Sequence, residues 1–130
     1  PACLGPCSNN EAGYAGEIVP VNPKGEVILD VPSVKSAADL PEGTDLAVVI
    51  IPAKLVPGTM RELGGRKVKS AIVITGGFAE SGDAGAALQE EMTKAAKASG
   101  IRVVGPNCQG VVNTDPALKA RGFAFGTICP

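Results

Sequence analysis

Four short stretches of this chain gather residues that could do chemistry: Asn22-Pro23-Lys24-Gly25, Ile51-Pro52-Ala53, Thr75-Gly76-Gly77-Phe78-Ala79-Glu80 and Gly105-Pro106-Asn107-Cys108-Gln109-Gly110. Each follows an apolar run. Lys24 supplies a point charge suited to phosphate, and Gly76-Gly77 lets a backbone approach a ligand with no side chain in the way. A lysine, backbone amides freed by glycine and an Asn107-Cys108 pair around one crevice would suit an anionic, elongated ligand. The same residue types also serve any strand-to-helix turn, so a plain loop reading stands beside the functional one. The chain has no histidine, and Cys108 has no charged neighbour in sequence. It is expected to pack a turn as a small buried residue, not to act as a nucleophile. No catalytic residue is assigned.

The elements that must hold these stretches follow from hydrophobic periodicity. Strands are expected at Glu17 to Val21, Asp45 to Ile51, Ser70 to Thr75 and Ile101 to Val104. The runs Leu46 to Ile51 and Ala71 to Ile74 are apolar at every position, the pattern of parallel strands covered on both faces. Ala84 to Ser99 reads as a helix with Ala84, Leu88, Met92, Ala95 and Ala96 inward and Glu90, Glu91, Lys94 and Lys97 outward. Ser81 or Asp83 would cap its start and Gly100 would follow its end. A shorter helix is expected from Leu55 to Leu63 with Pro57 in its first turn, and a half-turn at Ser36 to Leu40. Strands alternating with helices make an α/β fold with a parallel sheet. In such sheets ligands bind outside the carboxyl ends of the strands, where the four stretches fall. Residues 1–130 read as one domain whose ends, 1–10 and 115–130, are irregular.

Composition narrows the function classes. Hydrophobic residues make up 45%, charged residues 19%, and the net charge is -1, as in soluble globular domains. No run reaches the roughly 18 apolar residues that span a bilayer. Twelve basic residues balance thirteen acidic ones, and one tyrosine and three phenylalanines are the only aromatics. Such a chain lacks the basic, stacking surface of a nucleic-acid binder. Cys3, Cys7, Cys108 and Cys129 form no Cys-x-x-Cys unit, and without histidine they make no zinc site. Free thiols in the cytoplasm are expected. The opening Pro1-Ala2-Cys3 has neither the basic nor the apolar part of a signal peptide, and the absence of an initial methionine suggests processing or cutting.

Four strings sharpen this reading: Gly16-Glu17-Ile18-Val19-Pro20-Val21-Asn22-Pro23-Lys24-Gly25, Asp45 to Ala53, Ala71 to Phe78, and Val104-Gly105-Pro106-Asn107-Cys108-Gln109-Gly110-Val111-Val112-Asn113-Thr114. In this order and spacing they resemble the ADP-forming acetyl-CoA synthetases, relatives of the succinyl-CoA synthetase α subunit. The resemblance implies a Rossmann-like domain holding coenzyme A at its strand ends. It places Lys24 near the nucleotide part, Ile51-Pro52 flanking it, Thr75-Gly76-Gly77 along the pantetheine arm, and Gly105 to Cys108 towards the thiol. It further implies as partners a phosphohistidine domain and an ATP-grasp domain, in the same or another chain. The parent reaction would be acyl-CoA + ADP + phosphate = acid + CoA + ATP.

The sequence departs from the family pattern at its start. The family opens with an apolar strand, a glycine loop that is a principal part of the CoA phosphate site, and a helix. Pro1 to Ser8 match none of these, and Asn9 to Gly16 resemble the exit of that helix. With no histidine, the chain is expected to bind CoA without catalysing the parent reaction. A regulatory CoA module, such as one fused to a protein acetyltransferase, is the alternative. A dehydrogenase dinucleotide domain fits less well, because no Gly-x-Gly-x-x-Gly turn follows a first strand and Asn22-Pro23-Lys24 stands where a ribose-binding acid belongs.

Omitting five or six buried apolar residues forgoes on the order of 10 kcal/mol of burial, comparable with the stability of a whole domain. The chain alone is therefore expected to be unstable, paired with another copy, or rearranged at its N-terminus. Scanning calorimetry combined with sedimentation checks this: a cooperative transition of a monomer above about 50 °C overturns it.

Overall fold

The computed structural model describes residues 16–112 and 122–124. Three parallel strands, β1 (Leu46–Val49), β2 (Ser70–Val73) and β3 (Arg102–Val104), form one sheet in the order β1-β2-β3. Val48, Ile72 and Val104 lie side by side in register. β1 and β2 each stop two residues before the expected ends at Ile51 and Thr75, because the ladder gives way there to turns with other partners.

A 3-10 turn at Ala53–Leu55 leads into α1 (Val56–Gly65), with Pro57 in the first turn as expected. There its missing N–H costs no helical bond. Val56, Pro57, Met60 and Leu63 are buried along one stripe. The second helix, α2 (Asp83–Ala98), buries Gly85, Met92, Ala95 and Ala96, with Leu88 partly buried against the core. Ala84, expected inward, is exposed, and its neighbour Gly85 takes the buried place. Neither Ser81 nor Asp83 caps this helix. Gly82, at φ 98°, is the capping residue, because a 3-10 turn at Ala79–Ser81 runs directly into the helix and leaves no side-chain cap. Gly100 follows the helix at φ 69°, as expected of a left-handed residue after a helix end.

The stretch Glu17 to Val21 is not a strand. Among the described residues its only pairing is an isolated parallel bridge between Val21 and Val34, held by Asn22 N–H to Val34 O at 2.8 Å and Val34 N–H to Pro20 O at 2.9 Å. Pro20 and Pro23 have no N–H to extend it. Val19 and Val34 nevertheless pack against the core. The half-turn expected near Ser36 is a 3-10 turn at Ala37–Asp39, its start capped by Ser36 Oγ accepting from Ala38 N–H at 3.1 Å.

After β3, β4 (Gly110–Val112) pairs antiparallel with β5 (Gly122–Ala124). The irregular stretch expected over 115–130 is therefore strand at these three residues. The remainder of that stretch, and residues 1–10, lie outside the described residues.

Both helices cover one face of the sheet. Val49, Ala71 and Val73, with Ala47 and Val103, meet Met60, Leu63, Met92, Ala95 and Ala96 in one core. The opposite face was expected to be covered too. Among the described residues no helix lies on it, and Leu46 (46% exposed), Val48 (37%) and Val104 (44%) border a buried Ile72. Unbroken apolar runs do not reveal which neighbours are at hand to cover each face.

Two glycines give the test. A β-carbon on Gly85 would overlap the Phe78 carbonyl, whereas one on Gly58, near the start of α1, would meet nothing within 4 Å. Gly85→Ala should destabilise the chain by about 3 kcal/mol, and Gly58→Ala should stabilise it by roughly 0.5–1 kcal/mol. Urea unfolding of both variants checks this.

Candidate functional site

The carboxyl ends of β1, β2 and β3 are joined by named bonds. Thr75 Oγ1 donates to Ile51 O at 2.8 Å and accepts from Ile51 N–H at 3.2 Å, and Ile74 N–H reaches Val49 O at 3.1 Å. One hydroxyl thus replaces the backbone ladder where β1 turns into Pro52. From the other side Asn107 N–H donates to Thr75 O at 3.0 Å, and the half-buried Cys108 thiol donates to Val73 O at 3.4 Å. A β-carbon on Gly105 would overlap the Val73 carbonyl, so the third loop can lie this close only with glycine at its first position. Asn107 sits at φ 52°, a left-handed conformation that asparagine tolerates better than most residues.

Gly76 and Gly77 lie between these two walls. A β-carbon on Gly77, at φ 99°, would stand 3.3 Å from Ala53 Cβ; one on Gly76 would stand 3.3 Å from both Asn107 Oδ1 and Glu80 Oε1. The fold therefore brings Ile51, Pro52, Thr75, Gly76, Gly77, Asn107 and Cys108 to one edge of the sheet. Lys24 is not tied to them. Its side chain is largely exposed and lies 3.9 Å from Glu26, on a turn closed by Gly25 N–H to Asn22 O.

The glycine-loop amides are not free, as the sequence suggested. Glu80 Oε1 accepts from Gly77 N–H at 2.6 Å and from Phe78 N–H at 3.2 Å, and Gln89 Oε1 accepts from Ala79 N–H at 3.2 Å. The Gly77 N–H, then Glu80's own and that of Phe78, hold the Glu80 carboxyl below its ordinary value. A carboxylate with a lowered folded value stabilises the fold above the ordinary glutamate range, and that contribution fades as pH falls through the lowered value. Sequence reading includes Glu80 in the third stretch but gives it no role, although a carboxylate three residues after a glycine turn is a local signal for an amide cap. Ala53, whose small side chain fits against Gly77, is likewise given no role, and Lys54, exposed on the turn after Pro52, is passed over.

A shallow cleft of about 340 Å³ lies at the opposite, amino ends of β2 and β3, lined by Lys67, Lys69, Arg102 and Ser99 among others. Lys67 is paired there with Glu42 and Lys69 with Asp45. Among the described residues no helix is long and apolar enough to cross a membrane.

Comparison with known proteins decides which family the chain belongs to. The CoA binding domain family matches residues 9–114, most of the chain. The chain belongs to that family. Acetate–CoA ligase [ADP-forming] I of Archaeoglobus fulgidus is 40% identical over 121 residues, 93% of this chain and 17% of the relative. The ADP-forming acetate–CoA ligase of Methanocaldococcus jannaschii is 39% identical over 111 residues, 85% of this chain and 16% of that one. Among solved structures, the apo form of the Ca. Korarchaeum cryptofilum dinucleotide forming acetyl-coenzyme A synthetase 1 superposes with a TM-score of 0.79 at 29% identity, covering 94% of this chain and 28% of the other. This CoA binding domain thus spans less than a fifth of the length of these curated ligases, and its fold is the Rossmann-like α/β arrangement expected.

Thr75→Val keeps the side-chain shape but leaves the partly buried Ile51 N–H without its acceptor. It should cost about 1–3 kcal/mol, read as a lowered urea midpoint at unchanged slope.

Proposed function

We propose that this chain binds coenzyme A across the carboxyl ends of its parallel strands, as the CoA-binding part of an NDP-forming acyl-CoA synthetase. The observation that carries the reading is the convergence of the Ile51-Pro52, Thr75-Gly76-Gly77 and Asn107-Cys108 turns at one edge, in a chain of the CoA binding domain family. A narrow edge with glycine backbone in the middle suits a long, flexible ligand that lies along it. Asn107 offers a side-chain amide to a polar group of the ligand. Lys24, on its separate turn, is assigned to the phosphates. Its side chain is long enough to serve a ligand that extends beyond the three joined turns.

We assign no phosphoryl- or acyl-transfer role to this edge. The parent reaction, acyl-CoA + ADP + phosphate = acid + CoA + ATP, is assigned to this chain acting with a phosphohistidine domain and an ATP-grasp domain. One of the relatives, in Pyrococcus furiosus, is an α subunit of an ADP-forming acetate–CoA ligase, a name that fits division of the work among chains. We place the protein in the cytoplasm, where a free Cys108 thiol stays reduced.

Calorimetric titration with CoA, with NAD as control, tests the reading. CoA should bind in the micromolar range and NAD should not. Lys24→Ala should weaken CoA about tenfold, the loss of one charge-assisted contact. Asn107→Gly, which removes the side chain but accepts φ 52°, should weaken it as well. Binding of NAD in place of CoA, or of neither by the folded chain, overturns the proposal.

A further inference from the structure

The loop after β2 is built like an anion receptor whose place is already taken. The N–H groups of Gly77 and Phe78 converge on a single carboxylate oxygen of Glu80. Successive amides aimed at one point form a concave site for phosphate or sulfate. Here the anion is a side chain tethered three residues away. It competes at a high effective concentration, because it need not be brought from solution. Among the described residues none of the ion pairs involves Glu80, so its charge is offset chiefly by these amides. The same oxygen and Asn107 Oδ1 would each stand 3.3 Å from a β-carbon on Gly76. The middle of the strand-end edge therefore presents a negative charge and a neutral amide side by side.

We propose that Glu80 is a specificity residue: a built-in anion that closes this amide cluster to phosphate and reserves the middle of the edge for an uncharged, amide-bearing stretch of ligand. A phosphate entering there would have to displace the carboxylate and meet its repulsion, an arrangement that discriminates by penalising the wrong group. A neutral stretch meets no such penalty and finds Asn107 as its hydrogen-bonding partner. The register of a mixed ligand, charged at one end and neutral along an arm, would thus be set by exclusion as well as attraction. This inference deepens the CoA reading and rests on it for the identity of the arm.

The test uses the whole chain as wild type, Glu80→Ala and Glu80→Gln, with sulfate as the anion probe because its charge is constant across the working pH range. Sulfate titration is followed by the amide resonances of Gly77 and Phe78, and CoA titration by calorimetry. In the wild type sulfate should leave both resonances in place. In Glu80→Ala it should move both, with affinity raised about tenfold or more. Glu80→Gln keeps an acceptor for the amides without the charge, so it should hold the turn and take up sulfate at a level between the other two. A purely structural role predicts loss of loop order and no gain of anion binding. Glu80→Ala with an ordered loop that sulfate does not perturb overturns the proposal. If Glu80→Ala disorders the loop, Glu80→Gln decides, and a sulfate response equal to wild type overturns it. Should sulfate behave as expected while no variant binds CoA, the CoA reading falls and the role of Glu80 stands; CoA binding with no gain of sulfate gives the reverse.

Discussion

Phe78 has no exposed surface, and its carbonyl lies where a β-carbon on Gly85 would be. That contact is the constraint on which the strand-end edge depends. The chain leaves β2, runs four residues along the strand-end edge, and is then pinned in the core by an aromatic ring whose burial contributes roughly 1.5–3 kcal/mol. With the ring fixed, helix α2 can start close by only because Gly85 carries no side chain. The close start brings Gln89 to Ala79 N–H and Ser81 N–H to the Phe78 carbonyl. The two glycines before Phe78 are therefore held as a short span between two anchors, the hydroxyl of Thr75 and the ring of Phe78.

A parallel sheet leaves its strand ends as separate loops unless something joins them. Here side chains do much of the joining: Thr75 to Ile51 and Cys108 to Val73, with Asn107 N–H to Thr75 O added by the backbone. These bonds lie partly away from water, where a lost partner is costly. The result is a rigid edge built from three turns far apart in sequence. Rigidity of this sort lowers the ordering cost of binding a flexible ligand, since only the ligand has to be ordered.

The strand-helix alternation from Asp45 to Val104 was legible because long apolar runs and one strongly periodic helix determine their own states. The meeting of the strand ends was legible because the parallel architecture puts them together. Glu17 to Val21 misled because strand propensity supplies no partner, and the prolines at 20 and 23 remove the donors a partner would need. Ala84 and Gly85 changed places because the helix starts from a glycine cap whose rotation no periodicity encodes. Glu80, named in its stretch, pointed to no contact of its own because its bonds to the amides depend on the turn folding back onto it. The glycines that draw the eye in the sequence owe their amide geometry to a residue that looks like ordinary surface charge.

The side of the sheet that carries no helix among the described residues bears on how the molecule behaves in bulk. Leu46, Val48 and Val104 expose apolar surface around Ile72, and the chain's formal charge is only -1. Two such molecules meeting in solution feel almost no long-range repulsion to keep them apart, while contact between these faces would remove hydrocarbon from water. Colloidal stability thus rests on whether this face is shielded. The solubility of the chain becomes a property of its surroundings as much as of its fold.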